Sequence, residues 1–312
     1  MTRTELQLAG EISNCSKRNA AMSDLKSPCN KVVCSQLEVE PAFENFHRPE
    51  PWIGRLSSAR VLFISSNPGL SIDQGPEREI FPVESWSVED SAKFFVERFS
   101  QKHDPVYATY NHPTEPDFLT RSFDGEYRSG GKSSKTPQKT WSGIHKLATE
   151  LLDENCSPDA DYAVTEIVHC KSLMGAGVTE ASSTCATQWM PKILATSPAK
   201  VLVLLGAKVR DNFAIPFLNA PTDFAITNGS SYSSMSQKER ARRDIFMTHY
   251  EGKTRLVLFN WHPTSMETRG LTNAYGKKVV AWVKDVIDGR VELPANNADL
   301  TKELSALNLT EL

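Results

Sequence analysis

Three apolar segments of this chain run directly into residues that can do chemistry. Ala59 to Ile64 leads through Ser65 and Ser66 into Asn67-Pro68-Gly69; Tyr162 to Val168 carries Glu166 and ends at His169-Cys170; Arg255 to Asn260 leads into Trp261-His262-Pro263. An amide can hold a water but is a poor base, a carboxyl accepts when ionised and donates when protonated, and an imidazole does either near neutral pH. A polar residue at one strand end is ordinarily a satisfied turn residue. Three such ends in a parallel sheet lie along one edge, where open α/β sheets bind ligands. The six cysteines, Cys15, Cys29, Cys34, Cys156, Cys170 and Cys185, are a second set, thiols or metal ligands rather than disulfides.

The elements that must position these residues are legible from periodicity. Unalternating apolar runs at 61–64, 162–168, 200–205 and 255–260 predict four strands buried on both faces. Amphipathic helices are predicted at 88–99, 141–152, 179–194, 207–213 and 273–287, with Pro191 ending or bending the third. Strands alternating with helices predict an α/β fold, a three-layer α/β/α sandwich around a central parallel four-stranded sheet. Residues 1–50 read as a loosely structured cysteine-containing arm and 51–288 as the main domain. An insertion at about 71–140, rich in proline, interrupts that domain, and 289–312 reads as an acidic tail.

Composition narrows the classes. A chain of 312 residues with 39% hydrophobic and 23% charged content is ordinary for a globular protein with a large core. No apolar run is long enough to span a bilayer, and the first thirty residues lack a secretory apolar centre. A cytoplasmic setting is therefore expected, with no membrane partner, and with thiols or metal ligands rather than disulfides. A net charge of −3 excludes a broad basic coat but not local basic patches. Two stand out: 128–139, with Lys132 and Lys135 flanking serines after a Gly-Gly pair, and Lys238 to Arg243. A solvated loop is the plain alternative to phosphate contact for the first.

With these residues in view, the chain resembles the uracil-DNA glycosylase superfamily. Asn67-Pro68-Gly69-Leu70-Ser71 is similar to the first motif of its mismatch-specific branch, and His262-Pro263-Thr264-Ser265 to the second motif. Val164 to Cys170, then Cys185 and Trp189, then Pro198 to Gly206, resemble in order the branch that carries an iron–sulfur cluster; the likeness covers roughly residues 29 to 285. It implies a monofunctional DNA glycosylase, expected to act as a monomer, that flips a nucleotide out of the stack. Asn67 and His262 would be catalytic, the amide holding a water under the sugar and the imidazole donating to the leaving base. Met266 would be the apolar wedge in the duplex, with Arg269 and Ser265 on the DNA backbone. Ser66 and Phe81 join Glu166 as base-contacting candidates, Phe81 as the ring on which the base stacks. A [4Fe–4S] cluster on Cys29, Cys34, Cys170 and Cys185 is the implied cofactor, with structural zinc as the alternative. The family spaces its first cysteine pair by two residues, not the four found here, which makes Cys15 a substitute for Cys29 or Cys34; Cys156 reads as a free thiol.

Glu166 departs from the resembling branch, which has asparagine there. An ionised carboxylate would repel the O4 of uracil, whereas glutamate accepts from the N4 amino group of cytosine and, protonated, donates to N3. The expected substrate is a modified cytosine, with the added group met by the 71–140 insertion, and bacteriophage DNA is one source of such bases. The alternatives are excision of uracil or a damaged base in repair, a non-catalytic module that binds a modified nucleotide, and a Rossmann-type nucleotide enzyme. The last requires a Gly-rich phosphate loop after the first strand, which Ser65-Ser66-Asn67-Pro68-Gly69 is not.

Overall fold

The computed structural model describes residues 3–70, 81–98, 119–121, 127–129, 132–133, 139–158, 160–221, 235–265 and 270–308. In chain order these form helices α1 (Arg3–Ser13), α2 (Ser16–Ala21) and α3 (Asn30–Cys34), strands β1 (Trp52–Ile53), β2 (Val61–Ser65) and β3 (Gly69–Leu70), and helix α4 (Val88–Glu97). Short strands β4 (Leu119–Arg121), β5 (Tyr127–Ser129) and β6 (Lys132–Ser133) follow, then α5 (Lys139–Leu151), β7 (Tyr162–Glu166), β8 (Ser172–Leu173), α6 (Val178–Thr196) and β9 (Val201–Leu205). Helix α7 begins at Ala207–Val209 and runs through a π-helical stretch, Arg210–Ala214, into Ile215–Phe217. The chain closes with α8 (Gln237–Asp244), β10 (Ile245–Tyr250), β11 (Lys253–Asn260), α9 (Leu271–Tyr275), α10 (Lys277–Asp288) and α11 (Asn297–Asn308).

The four expected strands are present, parallel and adjacent, but the sheet has six strands, in the order β1-β7-β2-β9-β11-β10. The added edge strands β1 and β10 are antiparallel to their neighbours. All five residues of β2 and of β9 are buried, as their unbroken apolar runs require. One face of the sheet carries α1, α3, α6 and α7, whose buried residues pack with Leu62, Ile64, Leu202 and Leu204. The other carries α5, α8, α9, α10 and α11 around Val61, Phe63, Val201 and Val203. Opposite faces of the same strands thus feed two cores, the period-2 geometry of a β-strand in a three-layer α/β/α arrangement.

Several elements differ from expectation for local reasons. The amino-terminal arm is helical rather than loose: Leu8, Ala9 and Ile12 of α1 are buried in the first core. Buried Arg18 in α2 pairs with Glu84 at 2.5 Å, and the Arg48 guanidinium donates to the carbonyls of Val83, Glu84 and Trp86, so the arm is tied to residues 81–86. The acidic tail contains α11, with Leu300 and Leu304 buried. Asn297 brackets Met247 of edge strand β10, accepting from its N–H at 2.6 Å and donating to its carbonyl at 3.2 Å. Pro191 sits inside α6 without ending it. Buried Arg255 meets the carbonyls of Leu194 and Ser197 at that helix's carboxyl end. The expected 273–287 helix is two helices split at Gly276, whose φ of +89° no L side chain adopts readily. The cationic run 238–243 forms most of α8.

Candidate functional site

Strand register sets the frame of the site. Ser65 of β2 is level with Glu166 of β7, Ile64 with Leu204 of β9, and Leu205 with Asn260 of β11. The carboxyl ends of four strands therefore form one edge, which Asn67 and His262 each reach two residues beyond their strands. The chain steps outward from β2 to β7 and then back past β2 to β9, so the order reverses between β2 and β9. Open α/β sheets bind ligands in the crevice at such a reversal. His262 comes close to the end of β9: its Cβ lies 3.4 Å from where a Cβ on Gly206 would stand. Gly206 holds φ +95°, a conformation closed to other residues.

Asn67 is oriented by a contact that the sequence did not announce. Strands β3 and β8 pair Gly69 with Ser172, which brings Ser172 beside Asn67. The Asn67 amide nitrogen donates to the Pro68 carbonyl at 2.8 Å and to Ser172 Oγ at 2.9 Å. Both amide protons are thereby engaged, and Oδ1 accepts from Ser66 Oγ at 3.4 Å. An acceptor oxygen in that position can hold a water.

His262 is set up as a donor. The Thr264 backbone N–H, which can only donate, points at Nδ1 at 3.3 Å, and Thr264 Oγ1 lies 2.8 Å from the same atom. Nδ1 is therefore the acceptor and Nε2 carries the proton. Burial holds the imidazole below its ordinary pKa, so at neutral pH it is an uncharged Nε2–H donor.

Glu166 sits in a buried charge cluster. Burial pushes its carboxyl well above the usual range, and Glu50 adds to the rise, against the opposing charges of Lys171 and Arg98. Arg98 lies 3.5 Å from Glu50, both nearly buried. Oε2 of Glu166 is buried without a hydrogen-bond partner among the described residues. A carboxyl biased towards its neutral form, with an unmatched oxygen, can both donate and accept.

Phe81 does not fit the role expected of it. The ring is 5% exposed, stacked on His47 at 4.8 Å and covered by the Lys171 ammonium 3.3 Å from its centroid. With both faces taken, it is part of the aromatic cluster with Trp86, Phe94 and Phe95 rather than a platform for a base. Ser265 donates its N–H to the His262 carbonyl at 2.8 Å, which tightens the turn. Lys132 lies in β6, and Lys135, Met266 and Arg269 lie outside the described residues.

The cysteines gather differently from the expected set. Cys15, Cys29, Cys170 and Cys185 line one small enclosed cavity, together with Arg18, His169 and Trp189. Cys34 is not among them; its sulfur meets Asn30 Nδ2 at 3.5 Å. Cys34 points elsewhere because the helix α3 begins just after Cys29, which puts the two thiols on different sides of one turn. Burial raises the Cys170 thiol well above its ordinary pKa and Cys185 to about 12, and the neighbouring cysteines add to both shifts. Cys170 and Cys185 are thus held as thiols at neutral pH. His169 is buried and held down to about 4, with Nδ1–H donating to the Glu50 carbonyl at 2.8 Å.

Four cysteines around one cavity suit an iron–sulfur cluster, which takes one thiolate per iron. A single zinc instead needs its sulfurs about 2.3 Å from one point. Among the described residues no three His, Cys, Asp or Glu side chains are placed to hold a metal ion of either kind, and the cavity between the cysteines is only about 20 Å³. One short segment reaches both places: Glu166 at the sheet edge, Cys170 at the cavity, Lys171 over Phe81 and Ser172 on Asn67. Sequence reasoning missed Ser172, Lys171, Arg98 and Glu50, which carry no motif and enter only through pairing across the fold. No protein-family model matches the sequence, and no curated protein does.

Proposed function

We propose that the protein is a monofunctional DNA glycosylase that excises a modified cytosine. The observation that carries this is the alignment of Asn67, Glu166 and His262 along one sheet edge, with the His262 tautomer fixed by Thr264. Flipping the nucleotide costs a few kcal/mol of unstacking, least for an already weakened pair. In the crevice, a protonated Glu166 donates to N3 of the base and its other oxygen accepts from the N4 amino group. The Asn67 carbonyl oxygen positions a water at C1′ of the sugar. As the C1′–N1 bond breaks, its electron pair leaves with the base and the Nε2–H of His262 meets that charge; the water gives C1′ its new oxygen, and the proton it sheds ends on the departed base. A preorganised donor of this kind lowers the barrier by about 2.7–4 kcal/mol.

Cys15, Cys29, Cys170 and Cys185 would hold a [4Fe–4S] cluster, whose role here would be structural: it would pin the helical arm and Cys170 and so hold Ser172 beside Asn67. Modified cytosines of bacteriophage DNA are the proposed natural substrates, which makes restriction of phage the proposed setting.

The test is incubation with oligonucleotides containing uracil, cytosine or 5-substituted cytosines, followed by alkaline cleavage at abasic sites. Preferential cleavage at a substituted cytosine is expected. Uracil cleaved best would replace the cytosine reading with repair, and binding without abasic sites would leave a modified-nucleotide binding module.

A further inference from the structure

The cationic run at 238–243 becomes, in the fold, a helix with one exposed basic face beside the candidate site. Helix α8 leads into β10, whose first residue Ile245 is level with Leu258 of β11, two residues before Asn260 and four before His262. The helix therefore stands at the carboxyl edge of the sheet, next to α9. Of its own acids, Asp244 is buried, while Glu239 is exposed and its carboxylate is engaged by Ser236 in the amino-terminal cap. Arg240 is also turned in, buried and donating to the Ala274 carbonyl at 3.0 Å. Lys238 and Arg242 remain, both exposed and four residues apart, one turn along the same face. Gln237 packs on Gly276, which places exposed Lys277 at the start of α10 beside the same surface.

Helix stability accounts for only part of this. Arg242 in the last turn complements the helix dipole, but Lys238 in the first turn opposes it. In a chain of net charge −3, a face with two exposed cations that form no ion pair among the described residues, and a third beside it, is a local exception. One turn of helix separates the two charges by about 6 Å, within reach of neighbouring phosphates on one strand.

We propose that Lys238 and Arg242, with Lys277 alongside, contact the DNA backbone next to the everted nucleotide. This rests on the reading that the substrate is DNA. The contacts position the duplex and carry no base preference. Each neutralised phosphate releases condensed counterions, so each contact adds about 0.9 to the steepness with which affinity falls with salt.

The experiment measures anisotropy of a short fluorescein-labelled unmodified duplex across a range of potassium chloride concentrations, using the full chain. The K238E/R242E double variant should show a salt slope shallower by about 2, with its single-turnover excision rate at saturating protein unchanged. The control is Lys200→Glu, an exposed charge at the amino end of β9 on the opposite edge, expected to leave the slope as it was. A wild-type slope retained in the double variant overturns this inference alone, and so does an equal drop in the control, which would mean a general charge effect. No salt-dependent binding by the wild-type protein overturns this inference and the glycosylase reading together.

Discussion

The amide nitrogen of Asn67 donates to Ser172 Oγ across 2.9 Å, joining residues 105 positions apart in sequence. Ser172 is fully buried, and the bond decides which end of the amide faces the crevice. Ser172→Ala should leave one amide proton unmatched, lower stability by about 1–3 kcal/mol and let the amide rotate. The excision rate at saturating substrate should fall about tenfold while DNA affinity holds. Single-turnover kinetics beside an anisotropy titration check this; an unchanged rate would remove Ser172 from the positioning of Asn67.

His262 should matter to the chemical step more than to binding. Replacing it with alanine removes the donor to the leaving base, with an expected loss of about 10²–10³ in rate. Single-turnover excision with uracil and substituted-cytosine duplexes reads the effect directly. A loss below threefold would mean that another group meets the departing base.

Glu166 should impose a pH limit on excision of cytosine derivatives. Its folded pKa is raised by burial and by Glu50, so the protonated form persists above the ordinary carboxyl range and is lost as pH rises through that raised value. Excision should fall on that limb, and Glu166→Gln, which donates at every pH, should abolish it. Stability follows the same sign: the contribution of the protonated carboxyl is full below the unfolded pKa and disappears as pH rises through the folded one. Rate and thermal-melting profiles of both proteins across pH test the pair of expectations.

Cys15 and Cys34 should separate cleanly. Cys15→Ser removes a thiol from the cavity and, if the proposed cluster sits there, should lose iron, sulfide and the brown absorbance near about 400 nm expected of cluster chemistry. Cys34→Ser should keep all three. Stoichiometric zinc in a colourless wild-type protein would reverse the choice of metal.

Gly206→Ala should disturb the site from behind. The residue sits at φ +95° and its new methyl would stand 3.4 Å from the His262 Cβ. Strain of about 1–3 kcal/mol is expected from the backbone alone. Thermal unfolding and the excision rate should both drop, the rate by more than the stability loss explains.

Much of the frame was legible because it rests on local pattern. The strands at 61–64, 162–168, 200–205 and 255–260 announce themselves by unbroken apolar runs, and α5 by its stripe of Ile144, Leu147, Ala148 and Leu151. The short helix α8 was hidden because its charged sequence has almost no apolar stripe; a single buried alanine, Ala241, joins the core. The arm seemed loose because its buried residues Leu8, Ala9 and Ile12 are sparse, and only their packing against the sheet layer explains them.

By itself, the sequence determined that four buried strands end in Asn67, Glu166, Gly206 and His262, since an apolar run and the polar residues that stop it are neighbours along the chain. Tertiary structure alone decided that Cys15 rather than Cys34 joins Cys29, Cys170 and Cys185, that Phe81 is sandwiched between His47 and Lys171, and that Ser172 turns the Asn67 amide. The reason is physical: strand burial is dictated by the residues of the strand itself, whereas the direction of a thiol, a ring or an amide is set by partners that sequence distance conceals.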